Sequence, residues 1–204
     1  MHYIPKVPSD VPLVCDMSSN VLDKEMDLNR FGVIYAGAQK NLGPAGVTLV
    51  IVREDLLERV PEKTPTMQKW KTHSDKNSLF NTGPVFPIYM CKLSLDHLKS
   101  MGGVPAMEKH NREKAKILYD VIDGSDGFYK GHARKDSRSL MNVTFNLTTP
   151  ELEAQCFQEG TAKGLVGLKG HRSVGGMRAS IYNAMTMEGV KALAEFMTEF
   201  KVAN

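Results

Sequence analysis

The chain has 204 residues, 42% hydrophobic and 24% charged, the balance of an ordinary globular protein rather than a disordered or fibrous one. With 26 basic and 23 acidic residues the net charge is +3, which offers no footing for a nucleic-acid-binding or membrane-surface role. Three scattered cysteines (Cys15, Cys91 and Cys156) form no CxxC pair, so no disulfide framework, zinc site or other metal is expected, and a reduced, cytoplasmic setting fits.

The residues up to Pro12 carry three prolines and no apolar signal core, and no apolar run approaches a membrane span. Pro12-Leu13-Val14-Cys15 predicts a short buried strand ending at Asp16. A polar link, Asp23 to Arg30, leads to a second strand, Gly32 to Ala36, and then to a loop of small residues, Gly37 to Gly46. The continuous run Val47-Thr48-Leu49-Val50-Ile51-Val52 has the pattern of a strand covered on both faces. Glu54 to Arg59 predicts a short helix, and Pro61 to Ser78 a long irregular connection.

Pro87 to Met101 has helical periodicity (Ile88, Cys91, Leu95, Leu98) and stops at Gly102-Gly103. Val104 to Ile122 predicts a second helix, with Met107, Leu118 and Val121 on its apolar face. Beyond Gly124 the pattern changes. Ser139 to Leu147 alternates as a half-buried strand, Pro150 to Gly164 is a helix with Thr149 as N-cap, Arg178 to Tyr182 is a strand, and Thr186 to Val202 an amphipathic helix. These imply an α/β protein with a first domain over 1–124 and a small α/β domain over 125–204.

Two segments carry chemistry. In Tyr35 to Gly46, YAGAQKNLGPAG, Lys40 stands alone among Gly37, Ala38, Gly43, Ala45 and Gly46, which let backbone and a flat ligand approach closely. It lies just after one strand and before another, where α/β folds place ligands, and apolar surroundings favour a nucleophilic lysine amine. Asp16, twenty-four residues earlier, ends a preceding strand and could project beside it. A carboxylate there is the counter-charge that a pyridine nitrogen needs. Taken from spacing alone, Lys40 also fits a solvated loop lysine, and Asp16 a turn residue before Ser18-Ser19.

In HRSVGGMR, Arg172 and Arg178 lie six residues apart around Gly175-Gly176, and arginine grips carboxylate or phosphate with two parallel donors. A surface turn with ordinary ion pairs is the competing interpretation. Arg134, Lys135 and Arg138 form a second basic cluster, expected to be a solvated face, and Trp70 is expected in packing or on a loop surface.

The runs CDMSSN, FGVIYAGAQKNLGPAGVTLVIVREDLL, MNVTFNL and GLKGHRSVGGMRASIYNAMTMEGVKAL resemble the phosphoserine aminotransferases, in the family's order and close to the bacterial form. AGAQKN and HRSVGGMRASIYNA are the most specific of these strings. The resemblance implies a fold-type-I pyridoxal-phosphate transferase, here a truncated large domain with a mixed sheet plus a small C-terminal α/β domain. It implies pyridoxal 5'-phosphate as cofactor, with Lys40 as the catalytic Schiff-base lysine and Asp16 on the pyridinium nitrogen. Gln39 falls on a residue that contacts the cofactor phosphate. Asn81-Thr82 falls on a pair that reaches that phosphate across a dimer interface; by itself it also fits a capping turn before Pro87. Arg178 falls on the group that binds the substrate α-carboxylate, and His171 with Arg172 on the binding site of its phosphate.

The implied substrates are L-glutamate and a phosphorylated 2-oxo acid, in a cytoplasmic homodimer with shared sites. The family pattern departs at Gly83, usually proline, and in the long stretch expected before Asp16, which would bring the rest of the sheet and the aromatic that stacks on the cofactor. Two alternatives stay open. One is a catalytically incompetent fragment that dimerises or joins a longer partner. The other is a different fold-type-I enzyme, such as another class-V aminotransferase or a cysteine desulfurase; the lack of a cysteine in a glycine-rich loop counts against the desulfurase.

Overall fold

The structure is a computed structural model that describes residues 4–204; residues 1–3, where the proline-bearing lead-in begins, lie outside the described residues. It forms two compact units, one of Pro5–Val104 and one containing Pro105–Asn204. The sequence places the functional division after Gly124, at the end of a long helix, whereas the compact units divide at the start of that helix.

In the first unit, β1 (Val14–Asp16), β2 (Val33–Gly37) and β3 (Thr48–Val52) form one sheet in the order β1-β2-β3. β1 runs parallel to β2, pairing Asp16 with Tyr35, and β3 runs antiparallel to β2, pairing Ile34 with Ile51 and Ala36 with Leu49. The sheet is therefore mixed, as expected. Its burial is not as expected. Only the central strand is buried, through Ile34 and Ala36, while Val14 of β1 and Leu49, Val50 and Ile51 of β3 are exposed. β1 and β3 are the two edges of a three-stranded sheet, so each has a strand on one side only, and the run that looks doubly covered from its composition is open.

The expected helix after β3 is a single 3₁₀ turn, Glu54–Leu56, with Leu56 buried. The connection expected to be irregular contains a 3₁₀ turn, Thr66–Gln68, and a short helix, α1 (Trp70–Ser74). α2 (Val85–Ser100) ends at Met101 before Gly102 and Gly103, both at positive φ (97° and 75°), so the predicted stop holds.

In the second unit, α3 (Gly103–Asp123) is followed by β4 (Tyr129–Gly131), β5 (Asn142–Leu147), α4 (Pro150–Ala162), β6 (Met177–Ser180) and α5 (Met187–Ala203). The sheet β4-β5-β6 is antiparallel throughout. Its strands are buried on one side: Val143, Phe145 and Leu147 point into a core shared with Met177 and Ala179 of β6, Leu118 and Ile122 of α3, Cys156 of α4, and Leu193, Phe196 and Phe200 of α5. That packing explains why α3 clusters with this unit. β4 was not predicted, because only Tyr129 of its three residues is buried and the strand has no alternation to read. β6 begins one residue earlier than expected and ends at Ser180.

One charge lies inside this unit. Lys114 of α3 is fully buried, and its ammonium donates to the carbonyls of Ile181, Tyr182 and Met185 at 3.2, 2.8 and 3.0 Å. Burial pushes this group down to about 8. The three carbonyls belong to the turn that follows β6, where the Tyr182 carbonyl also accepts the Met185 amide at 2.8 Å, so the buried amine adds to the hydrogen bonding of that turn. Among the described residues no helix is long and apolar enough to cross a membrane.

Candidate active site

Lys40 sits in the loop between β2 and β3. The loop turns tightly because the amides of Lys40 and Gly43 both donate to the carbonyl of Ala38, each at 2.7 Å, and the Ala38 amide donates to Val47 at 2.9 Å. Ala38 is fully buried. At Gly43 an added Cβ would meet Sγ of Cys91 at 2.9 Å and Cα of that residue at 3.3 Å, so the loop passes against α2 at a distance only glycine permits.

The chain after β1 makes a second turn, in which Asn20 and Val21 donate their amides to the Met17 carbonyl at 3.0 and 2.8 Å. Four hydrogen bonds fasten the two segments together. Met17 N–H donates to Tyr35 O at 2.8 Å, Gly37 N–H to Ser18 Oγ at 3.0 Å, Asn41 Nδ2 to Val21 O at 2.9 Å, and Lys40 Nζ to Ser19 Oγ at 2.7 Å. The half-buried Lys40 amine is thus held to a specific partner and is not a freely solvated loop lysine.

Asp16 is exposed at the end of β1, and its Oδ1 accepts the Ser18 amide at 2.8 Å. It is therefore a turn residue as well as a candidate ligand. The Ser18 side chain and then its amide hold the carboxyl below the usual range, helped by the Tyr35 hydroxyl and the positive charge of Lys40. Parallel pairing sets Asp16 beside Tyr35, so Asp16 and Tyr35 share one face of the sheet. Gln39 is exposed and folds back so that a Cβ at Gly37 would lie 2.5 Å from its Oε1.

Asn81 and Thr82 are also exposed, and the Asn81 amide donates to the Thr82 carbonyl at 3.1 Å. They do not cap α2, whose N-cap is Pro84, so the capping interpretation is set aside. Hydrogen bonds fasten the turn after β1, which carries Asp16, Ser18 and Ser19, to the strand end and loop that carry Tyr35, Lys40 and Asn41, all within Pro5–Val104. Ser18, Ser19, Tyr35 and Asn41 had not been singled out as site residues. The signal available for the serines was their position directly after Asp16 in CDMSSN.

His171, Arg172 and Arg178 belong to the other unit. Residues 170–176 form a closed loop: Gly170 N–H donates to Gly176 O at 2.8 Å, and Val174 and Gly175 donate to His171 O at 2.9 and 2.8 Å. Gly176, at φ 66°, approaches so closely that a Cβ would meet Asn146 Nδ2 at 2.5 Å and Phe145 O at 2.8 Å. Nδ1 of His171 lies 2.6 Å from Ser173 Oγ and 3.3 Å from the Ser173 amide nitrogen, and both His171 and Arg172 are exposed. Arg178 stands opposite Thr144 on β6, and its Nε is buried without a hydrogen-bond partner.

The second basic cluster is only partly a solvated face. Arg134 pairs with Asp136 at 2.9 Å on the surface, but Arg138 is 14% exposed, grips both oxygens of Asp123 at 2.8 and 2.6 Å, and lies 4.4 Å from the centre of the Tyr119 ring. Trp70 is partly exposed at the start of α1.

A mixed α/β sheet that presents a lysine and an ionised carboxylate at adjacent strand ends, in a chain that also carries a separate antiparallel α/β unit, has the fold of the fold-type-I aminotransferases. Residues 2–193 match the family model described as aminotransferase class-V, and the chain belongs to that family. It is 58% identical over 192 residues to a phosphoserine aminotransferase of Lysinibacillus sphaericus (strain C3-41), an alignment covering 94% of this chain and 53% of that protein. The solved phosphoserine aminotransferase from Bacillus circulans subsp. alkalophilus superposes with a TM-score of 0.92 at 52% identity, over 96% of this chain and 54% of that one. A phosphoserine aminotransferase from Trichomonas vaginalis, solved with pyridoxal phosphate bound, gives a TM-score of 0.88 at 38% identity, over 96% and 55% of the two chains. The chain spans about half the length of the relatives it matches.

Proposed function

We propose that this chain is the lysine-bearing part of a phosphoserine aminotransferase. The enzyme transfers the amino group of L-glutamate to 3-phosphohydroxypyruvate, yielding 3-phosphoserine and 2-oxoglutarate in serine biosynthesis, with pyridoxal 5'-phosphate as cofactor. One observation carries the proposal: a chain 58% identical to a phosphoserine aminotransferase holds the Lys40 amine on the same turn, Ser18-Ser19, that follows and lowers the Asp16 carboxylate.

The residues present fit the cofactor. A carboxylate held low by Ser18 stays ionised, the counter-charge that a pyridinium nitrogen needs, and the half-buried Lys40 amine is held by Ser19 at 2.7 Å. When bound, pyridoxal phosphate supplies the electron sink that stabilises negative charge at the substrate α-carbon. Asp16 balances the positive ring nitrogen. Lys40 would hold the cofactor through its amine, and that amine, when free, would remove the substrate α-proton as base and return a proton as acid. Gln39, Asn81 and Thr82 supply donors to the cofactor phosphate. Arg178, with its open Nε donor, would bind the substrate carboxylate, while the exposed Arg172 and His171 would bind its phosphate.

The same basic groups suit a related phosphorylated 2-oxo acid, including one of pyridoxine biosynthesis. The working assembly is a cytoplasmic homodimer in which Asn81 and Thr82 serve the neighbouring site. In this scheme Pro5–Val104 is the C-terminal portion of the large cofactor domain, and the antiparallel unit is the small domain.

The test is reduction of the purified chain with borohydride after mixing with pyridoxal phosphate, followed by mass analysis of the Lys40 peptide. A phosphopyridoxyl group on Lys40, absent from Lys40→Ala, is the expected result. Equal, scattered labelling of surface lysines in both proteins would remove the cofactor assignment and leave this chain a partner in assembly.

A further inference from the structure

We propose that Ser19 is a positioning residue for the reacting amine, a hydroxyl that keeps Lys40 in place in either protonation state. The proposal deepens the function given above and rests on it for its catalytic meaning. The Lys40 amine makes one hydrogen bond among the described residues, to Ser19 Oγ at 2.7 Å. In transamination that amine must leave the cofactor, stay close, and carry a proton away and back. A free lysine side chain has four rotatable bonds and would wander.

A hydroxyl suits this task because it both accepts and donates. It accepts from an ammonium. When the nitrogen is neutral, the hydroxyl can rotate and donate to the nitrogen lone pair. A carboxylate holds only the ammonium well, and a backbone amide only the neutral amine. Proton uptake and release by Lys40 therefore need not break the contact.

Ser19 is itself fixed from both sides. Its neighbour Ser18 accepts the Gly37 amide at 3.0 Å, and Val21, two residues on, accepts the Asn41 side-chain amide at 2.9 Å. Gly37 and Asn41 flank Lys40 in the chain, so the turn carrying the hydroxyl is fastened to the loop carrying the amine on either side of it. Asp16, which opens the same turn, couples the position of the hydroxyl to that of the carboxylate.

The experiment reads Lys40 without cofactor. The full chain is labelled with a limiting amount of an amine-selective acylating reagent across a range of pH, and Lys40 labelling is measured by mass spectrometry with surface Lys92 and Lys116 as internal references. Ser19→Ala should raise the labelling rate of Lys40 roughly fivefold across the pH range, the loss of one ordinary hydrogen bond. Ser19→Thr, which keeps the hydroxyl, should behave like the parent, and Ser19→Cys should fall between. A merely structural role would change both reference lysines or the circular dichroism, and would not be rescued by threonine. Identical Lys40 rates and pH profiles in the parent, Ser19→Ala and Ser19→Cys would overturn the proposal. Failure of the function above is separable, since it would show as no phosphopyridoxyl capture on Lys40 in the parent chain whatever the labelling result.

Discussion

At the scale of single residues, the site depends on short side chains that satisfy several groups at once. Ser18 accepts from Gly37 through its hydroxyl and lowers Asp16 through its amide and side chain; Ser19 takes the Lys40 amine. A similar economy governs the ion pair at the end of α3. The Arg138 guanidinium holds the Asp123 carboxyl down to about 2, from an ordinary value of 3.8. Because the folded value is the lower one, the stabilisation is complete above about pH 4 and is lost as the pH falls toward 2. Asp123 is partly exposed, so its worth after screening is about 1 kcal/mol. Asp123→Asn should therefore lower stability in urea by about that amount at pH 7, and the difference from the parent should shrink below pH 3. An undiminished difference at low pH would assign the effect to something other than the charge pair.

Among the elements, helix starts were the most legible. Thr149 Oγ1 accepts the Leu152 amide at 3.3 Å with Pro150 in the first turn, and Thr186 accepts the Gly189 amide at 3.2 Å. Both caps follow from local chemistry: a short oxygen-bearing side chain reaches an amide that has no partner inside the helix. Thr149→Ala should cost about 1 kcal/mol in equilibrium unfolding, and Thr149→Ser or Thr149→Asp should keep most of the parent's stability. Strands divided into two groups. β5 could be read because its partners and a helix layer bury one face, so Val143, Phe145 and Leu147 alternate with polar residues. β3 misled, because its composition, Thr-Leu-Val-Ile-Val, describes a surface suited to burial and does not say whether anything covers it.

At the scale of the whole molecule, that uncovered surface has a consequence. Leu49 and Ile51 share the sheet face of the buried Ala36 and Ile34, yet stand exposed along an edge strand with free backbone groups on one side. Such an edge recruits other chains. Light scattering coupled to gel filtration should find concentration-dependent association of this chain, and Ile51→Lys should shift it toward the monomer without loss of circular dichroism. A monomer at all concentrations would mean that the exposed edge is not adhesive. This association differs from the homodimer proposed for the working enzyme, which concerns Asn81 and Thr82.

The sequence by itself determined the four long helices, the Thr149 cap, the alternating strand β5 and, through two specific strings, the family with the mixed sheet that it implies. These are legible because caps and periodicity are local, and because strings such as AGAQKN keep their residues adjacent in the chain. Their positions at successive strand ends left Asp16 and Lys40 open to ordinary interpretations, and the resemblance carried by CDMSSN and AGAQKN named them as a pair. Only the tertiary structure decided what holds them. Parallel pairing sets Asp16 beside Tyr35, the turn after β1 brings Ser19 onto Lys40 across twenty-one residues, and Asn41 ties the two loops together. It also decided that β1 and β3 are open edges and that α3 packs with the second unit. Each of these depends on which surfaces meet after the chain folds back on itself, and neither composition nor spacing encodes that directly.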